Sequence, residues 1–234
     1  MRRPACPFSA VSACIVSFHR YACPVLPAEL LHVDAALIVA NKPAGLLAVP
    51  GRGADKADCL WARVRSQFAD AMVVHRLDMA TSGLILLARG AAVQRSLSMA
   101  FAHRRIDKAY LAVVDGLPLE DQGEIDLPLA PDWPNRPRQA VCAARGKPSL
   151  TRWQVIERDA TLGRTRLALQ PISGRSHQLR VHLAAIGHPI LGDGLYAAPA
   201  VAGAAPRLLL HASRLAFTHP LDGTAVAFAS SAPF

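Results

Sequence analysis

Two polar segments hold most of the residues able to do chemistry. In the first, Val73-Val-His-Arg-Leu-Asp-Met-Ala-Thr-Ser-Gly83, polar side chains sit between two β-prone segments, which predicts a loop emerging from a sheet. Asp78 is of the right type for a nucleophile or a general base. Arg76, two residues before it, can hold a phosphate or aid the carboxylate. The same residues would also suit a plain turn in which Asp78 caps backbone amides near Thr81-Ser82-Gly83. The second segment, Ile172-Ser-Gly-Arg-Ser-His-Gln-Leu-Arg-Val-His182, opens a helical pattern. A helix start presents free N–H groups and a positive dipole end, so anions collect there, and Arg175 and Arg180 add charge. His177 and His182 are five residues apart, roughly 140° around a helix, so they do not share a face as a zinc-binding pair would. Their spacing predicts hydrogen-bonding histidines.

A third group is basic and partly aromatic. His103-Arg104-Arg105 and Lys108 precede Tyr110, and Trp133-Pro-Asn-Arg-Pro-Arg138 is followed by Arg145, Lys147 and Arg152. Lysine and arginine neutralise phosphates, and tryptophan and tyrosine stack on bases. Any one of these stretches suits a solvated basic face. Together they point to nucleic acid.

The elements that must position these groups are short strands and a few helices. Ala36–Ala40, Gly83–Ala88, Tyr110–Val114, Arg166–Leu169, Leu208–Leu210 and Val226–Phe228 read as strands. Cys59–Phe68 has apolar residues at Leu60, Val64 and Phe68, and Ala91–His103 is a second helical stretch. In Ser176–Ile186, Leu179, Leu183 and Ile186 line one face and Gly187 supplies the stop. Strands and helices mix without a regular βαβ rhythm. That predicts an α+β fold with a mixed, largely antiparallel sheet flanked by helices.

Composition bounds the function. The 234 residues are 52% hydrophobic and 18% charged, which excludes a wholly disordered chain. Lysine and arginine number 26 against 17 acidic residues, a net charge of +9, so a polyanion is the expected partner. No apolar run approaches the ~18 residues of a membrane span. The five cysteines are odd in number and show no C-x-x-C pair, which fits reduced thiols in the cytoplasm. Residues 1–27 hold three of those cysteines and no acidic residue, and read as a disordered extension before a catalytic domain at 28–234. No phosphate-binding loop, dinucleotide fingerprint or nucleophile elbow occurs, so nothing calls for ATP, NAD or a metal.

His75-Arg-Leu-Asp78 with Thr81-Ser-Gly83 resembles the signature of the RluA family of pseudouridine synthases. The resemblance extends through Asn41-Lys-Pro-Ala-Gly-Leu46, Lys108-Ala-Tyr110, Gly174-Arg-Ser-His-Gln-Leu-Arg180, Gly187-His-Pro-Ile-Leu-Gly-Asp193 with Tyr196, and Leu210-His-Ala212. It implies the pseudouridine synthase catalytic fold and a redox-neutral isomerisation without a cofactor. It implies Asp78 as the indispensable carboxylate, Arg180 as its partner, and Tyr110 stacked on the uracil. Leu210 would pack beside the pocket, and Arg76 would fill the space left by a flipped base. His75, Arg175 and His177, from the same motifs, complete the expected substrate-binding set. Asp126-Leu-Pro-Leu129 and Asp132–Arg138 resemble one branch of the family, which implies two substrates, a 23S rRNA hairpin and the tRNA anticodon stem-loop. It also implies no preceding S4-type domain. A monomer is the expected state. The rival readings are a catalytically silent RNA-binding or ribosome-assembly factor and, more weakly, a hydrolase pairing Asp78 with His75 or His177.

Overall fold

Strand β4, Ser82–Arg89, is buried along nearly its whole length because both of its faces are covered. Leu84, Leu86 and Ala88 point to one side and pack on Val93 and Leu97. Ile85 and Leu87 point to the other side and pack on Leu60 and Val64. The period of two in the strand thus feeds two separate cores. Helix α1, Leu60–Arg65, closes one and helix α2, Ala91–Ala102, the other. A third core joins Ala112, Val114, Leu167 and Leu169 of the sheet to Leu179 and Leu183 of helix α3, Gln178–Ala185.

The computed structural model describes residues 28–53 and 56–234. The expected extension at 1–27 lies outside the described residues. The remaining elements run in chain order as β1 (Glu29–Val33), β2 (Leu37–Lys42), β3 (Ala71–Val73), β5 (Asp107–Asp115), β6 (Gln122–Asp126), β7 (Leu129–Pro131), β8 (Gln139–Val141), β9 (Leu150–Asp159), β10 (Arg164–Pro171), α4 (Pro199–Ala202), β11 (Leu210–Thr218) and β12 (Ala225–Ala229). The main sheet has the order β1-β2-β4-β11-β5-β10-β9-β6, with β3 on β4 and β12 on β11. All its pairs are antiparallel except β4 with β11, which run parallel. The α+β expectation holds. The pair β7–β8 forms a separate two-stranded arm.

The parallel contact is short, Ser82 with His211 and Gly83 with Ala212. It needs a glycine. Gly83 has a φ of +112°, and a Cβ there would overlap the Ala212 backbone. This close approach brings β11, and with it Leu210, to the end of the loop that carries Asp78. Strand β11 then pairs with β5, placing Ala212 opposite Tyr110 and Leu210 opposite Ala112.

The sequence reading needed adjustment at several elements: Leu208–Leu210 reads as a strand, whereas β11 begins at Leu210 and runs to Thr218, and β1, β3, β6, β7 and β8 were not foreseen. Helix α1 stops at Arg65, although Cys59–Phe68 reads as helical. Its first turn is capped by Cys59, whose Sγ accepts the Ala62 N–H at 3.4 Å. Strand β9 has no counterpart in the sequence reading, because its charged residues face solvent and only Thr151 is fully buried within it.

Candidate active site

The loop after β3 carries His75, Arg76, Leu77 and Asp78, and it is fixed from behind. Leu77 is buried. The His75 ring stacks on Phe101 at 4.5 Å, and its Nε2 accepts the Leu86 N–H at 2.8 Å. Burial, with Lys108 nearby, pushes the His75 pKa down to about 3, so the ring stays neutral and acts as an acceptor. His75 therefore lines the cleft as a pin between loop and sheet. Its Nε2 is committed to backbone, which leaves the substrate-binding role expected of it to Nδ1.

Lys42 secures the loop on its far side. It is fully buried, and its ammonium donates to the carbonyls of Pro43, Leu46 and Met79 at 2.9, 2.7 and 3.0 Å. Gly45 N–H reaches the same Met79 carbonyl at 2.8 Å. Burial lowers the Lys42 pKa to about 8, with the Asp78 charge opposing and Arg207 adding to the shift. Sequence reasoning gave Lys42 no role. The available signal was a lysine ending an otherwise apolar strand before a proline.

These supports leave the Asp78 carboxylate facing the cleft. The turn is closed by backbone, Thr81 N–H to the Asp78 carbonyl at 3.1 Å, rather than by the side chain. Asp78 Oδ2 lies 3.5 Å from Arg180 Nη1 and 3.9 Å from His177 Nε2. The plain-turn reading of Asp78 thus gives way to a carboxylate among cationic and imidazole groups.

Arg180 departs from expectation in its main partner. Its Nε and Nη2 donate to the two oxygens of Asp193 at 2.8 and 2.6 Å, a buried bidentate pair. Burial works against both charges. The mutual hydrogen bonds and attraction outweigh it, raising the arginine pKa and holding the Asp193 carboxyl below its usual range. Asp193 also accepts the N–H groups of Leu195 and Tyr196 at 2.9 and 3.2 Å. Its position depends on Gly192, at a φ of +77°, where a Cβ would overlap the Arg207 backbone. Asp193 stood inside a quoted motif without a role.

The other expected residues line one cleft of roughly 870 Å³: His75, Arg76 and Asp78 with Tyr110, Arg175, His177, Arg180 and Leu210. Tyr110 keeps its phenolic proton, since burial and the Asp78 charge both push its pKa up. Leu210 is buried and supplies an apolar wall. Arg76 is exposed at the rim. Arg175 is exposed too, and among the described residues its guanidinium reaches the Pro148 carbonyl, at 3.4 Å. The expected anion cradle at the start of α3 differs, because Arg180 turns inward and Gln178 Oε1 takes the Arg175 N–H at 3.0 Å. His177, in a left-handed conformation at φ 55°, bonds Tyr196 through Nδ1. Burial lowers its pKa, opposed by Asp78 and Asp193 and helped by Arg180. His182 bonds Thr151 Oγ1 and the Leu127 carbonyl, each at 3.0 Å, and so lies outside the cleft chemistry.

The arm β7–β8 flanks this cleft, with Pro137 and Gln139 on its wall. Its connecting loop exposes Trp133, and the Arg136 guanidinium lies 4.0 Å from that ring's centroid. Together with Arg138 it offers cations and a flat ring on the arm that flanks the cleft.

Comparison with known proteins places the chain by sequence and fold. A family described as RNA pseudouridylate synthase matches residues 36–185. A dual-specificity RNA pseudouridine synthase RluA of Yersinia pestis is 52% identical over 205 residues, covering 88% of this chain and 99% of that protein. The protein of the same name from Escherichia coli K12 is 49% identical over 205 residues, covering 88% and 93%. Among solved structures, human RNA pseudouridylate synthase domain containing 1 superposes with a TM-score of 0.74 at 30% identity, over 88% of this chain and 84% of that one.

Proposed function

The chain belongs to the RNA pseudouridylate synthase family and makes pseudouridine in RNA, and we propose that it acts on both a 23S rRNA hairpin and the tRNA anticodon stem-loop, with Asp78 as the catalytic carboxylate. One observation carries the assignment of the site. The Asp78 carboxylate faces a cleft with Arg180 and His177 on one side, and Tyr110 and Leu210 share its lining.

The reaction is an isomerisation. The bond from C1′ to N1 breaks, uracil rotates, C1′ bonds to C5, and the C5 proton leaves while N1 gains one. Nothing is oxidised or reduced. A carboxylate can attack the sugar or the base, or remove a sugar proton. Each route needs a carboxylate oxygen within reach of the nucleotide and not already committed to backbone. Asp78 Oδ2 meets that need, since its cationic neighbour stands off at 3.5 Å.

The target base must leave its stack, which costs about a few kcal/mol. Arg76, exposed at the rim, is the group to occupy the vacated space, where its planar cation stacks on neighbouring bases. Tyr110 takes one face of the flipped uracil and, still protonated, can move a proton late in the reaction. Leu210 closes the pocket with an apolar surface. Arg175 and His177 serve the flanking backbone and the carboxylate side. On this reading, residues 28–234 are one catalytic unit, acting as a monomer in the cytoplasm.

Substrate scope is tested by tritium release from [5-³H]uridine-labelled transcripts of 23S rRNA and of tRNA. Release from both supports dual specificity, and release from one alone removes the other substrate. RNA bound without any release would instead favour a silent binding factor.

A further inference from the structure

Tyr196 stands where the β7–β8 arm meets the cleft. Its hydroxyl oxygen accepts the Gln139 N–H, the first residue of β8, at 2.8 Å. The same oxygen lies 2.5 Å from Nδ1 of His177. Two arginines lie over its ring, Arg138 of the arm at 5.4 Å and Arg180 of α3 at 5.1 Å from the centroid. Its own N–H is held by Asp193 at 3.2 Å. One side chain therefore touches the arm, the imidazole beside Asp78 and the buried pair that limits Arg180.

Proton counting gives one consistent arrangement in which the tyrosine accepts from Gln139 and donates to His177. Gln139 can only donate, so the tyrosine oxygen accepts there. The tyrosine keeps its proton, because burial raises its pKa, so the O–H is free to donate to Nδ1. An imidazole accepting at Nδ1 carries its proton on Nε2. A hydroxyl that donates to Nδ1 favours the neutral tautomer with its proton on Nε2, 3.9 Å from Asp78 Oδ2. The groups facing that ring are Asp78 from the β3–β4 loop, Arg180 from α3, and Asp193 and Tyr196 from the turn before α4.

We propose that Tyr196 is a positioning residue for the isomerisation, linking the seat of the RNA-facing arm to the His177 tautomer and through it to Asp78. The inference rests on the reading of Asp78 given above. Without the hydroxyl, His177 loses the donor that favours its neutral form, protonates more readily, and as a cation binds the carboxylate that must meet the nucleotide. Gln139 also loses its acceptor, which loosens the arm beside the cleft.

The test compares Tyr196→Phe with wild type in the full chain, on a tRNA anticodon stem-loop transcript, from about pH 5.5 to 8.5, a range spanning the ordinary histidine value. The ring and both arginine contacts are kept. The expected result is a kcat lower by about ten- to a hundredfold, as for a misplaced reacting group, with KM changed by less than about threefold. The acid limb of kcat should move to higher pH. His177→Gln keeps an N–H near the Nε2 position and cannot become cationic, so it should lose that limb, and adding Tyr196→Phe to it should change little. Normal kcat and pH profile in Tyr196→Phe, beside an inactive Asp78→Ala, would overturn the inference alone. Full additivity of the two substitutions would also overturn it. If Tyr196→Phe fails to fold, retention of the wild-type acid limb by His177→Gln overturns it instead. Turnover by Asp78→Ala would remove the parent reading and this inference with it.

Discussion

Arg180 gives two hydrogen bonds, at 2.8 and 2.6 Å, to Asp193 and stands 3.5 Å from Asp78. The arrangement divides labour between two carboxylates. Asp193 is buried and carries the structural half of the ion pair, while Asp78 stays in the cleft under the same positive charge. An arginine bound bidentately to Asp78 would instead block the oxygen that must reach the nucleotide.

Removing Asp193 therefore has two effects. Asp193→Ala leaves a buried guanidinium without its hydrogen-bonded partner, a change that costs about 3–5 kcal/mol. It also frees Arg180 to close on Asp78, so kcat should fall further than RNA affinity. Urea unfolding checks the first effect, and single-turnover rates beside binding isotherms check the second.

Stability should fall on the acid side of neutrality, starting earlier than carboxylates alone would dictate. The His75 pKa is about 3 when folded against the ordinary value of 6.5. Between those values the unfolded chain binds a proton that the folded chain refuses. The stabilisation is complete above the ordinary value and is lost progressively as pH falls from it towards about 3. His177, His182 and His211 are shifted in the same direction by burial. Asp34 adds a loss only below its ordinary 3.8, since its amide and His32 partners, working against burial, hold it at about 2. Urea midpoints measured across this range should decline below neutrality, and His75→Phe should flatten the upper part of the decline.

Among the described residues no hydrogen bond or ion pair holds Arg76, which is exposed, whereas His75 and Leu77 support the loop. Arg76→Ala should thus leave thermal stability unchanged and slow turnover more on a closed hairpin than on a flexible single-stranded loop. Parallel rates on the two transcripts measure this, and equal slowing on both would remove Arg76 from base flipping.

A net charge of +9 and the cations around the cleft predict binding that weakens steeply with salt. The logarithm of affinity should fall linearly with the logarithm of salt concentration. Arg138→Ala should reduce that slope by about 0.7–0.9, the share of one phosphate contact.

Much of the site was legible because its chemistry is local. His75, Arg76 and Asp78 lie in one polar loop between strands, and α3 announces itself by Leu179, Leu183 and the glycine that stops it. What stayed hidden depends on partners distant in sequence or buried in ways that composition does not signal. Nothing in the spacing says that Arg180 prefers Asp193 across the intervening turn to Asp78. Lys42 looks like a surface cation, yet it is fully buried because three carbonyls converge on it. His75 looks like a candidate acid or base, and becomes a pin because the Leu86 amide lies within reach once β4 is in place. Strand β9 was missed because a half-exposed strand can carry Arg152, Glu157 and Arg158 on its open face.

The central claim is that the Asp78 carboxylate does the chemistry and is not needed to hold RNA. Single-turnover tritium release and RNA affinity, measured side by side for wild type and Asp78→Asn, test it most directly. The asparagine keeps the size of the side chain and removes the charge. The account predicts release lowered to background with RNA affinity retained to within a few-fold. Release at a substantial fraction of the wild-type rate, or a loss of affinity as large as the loss of rate, would contradict it.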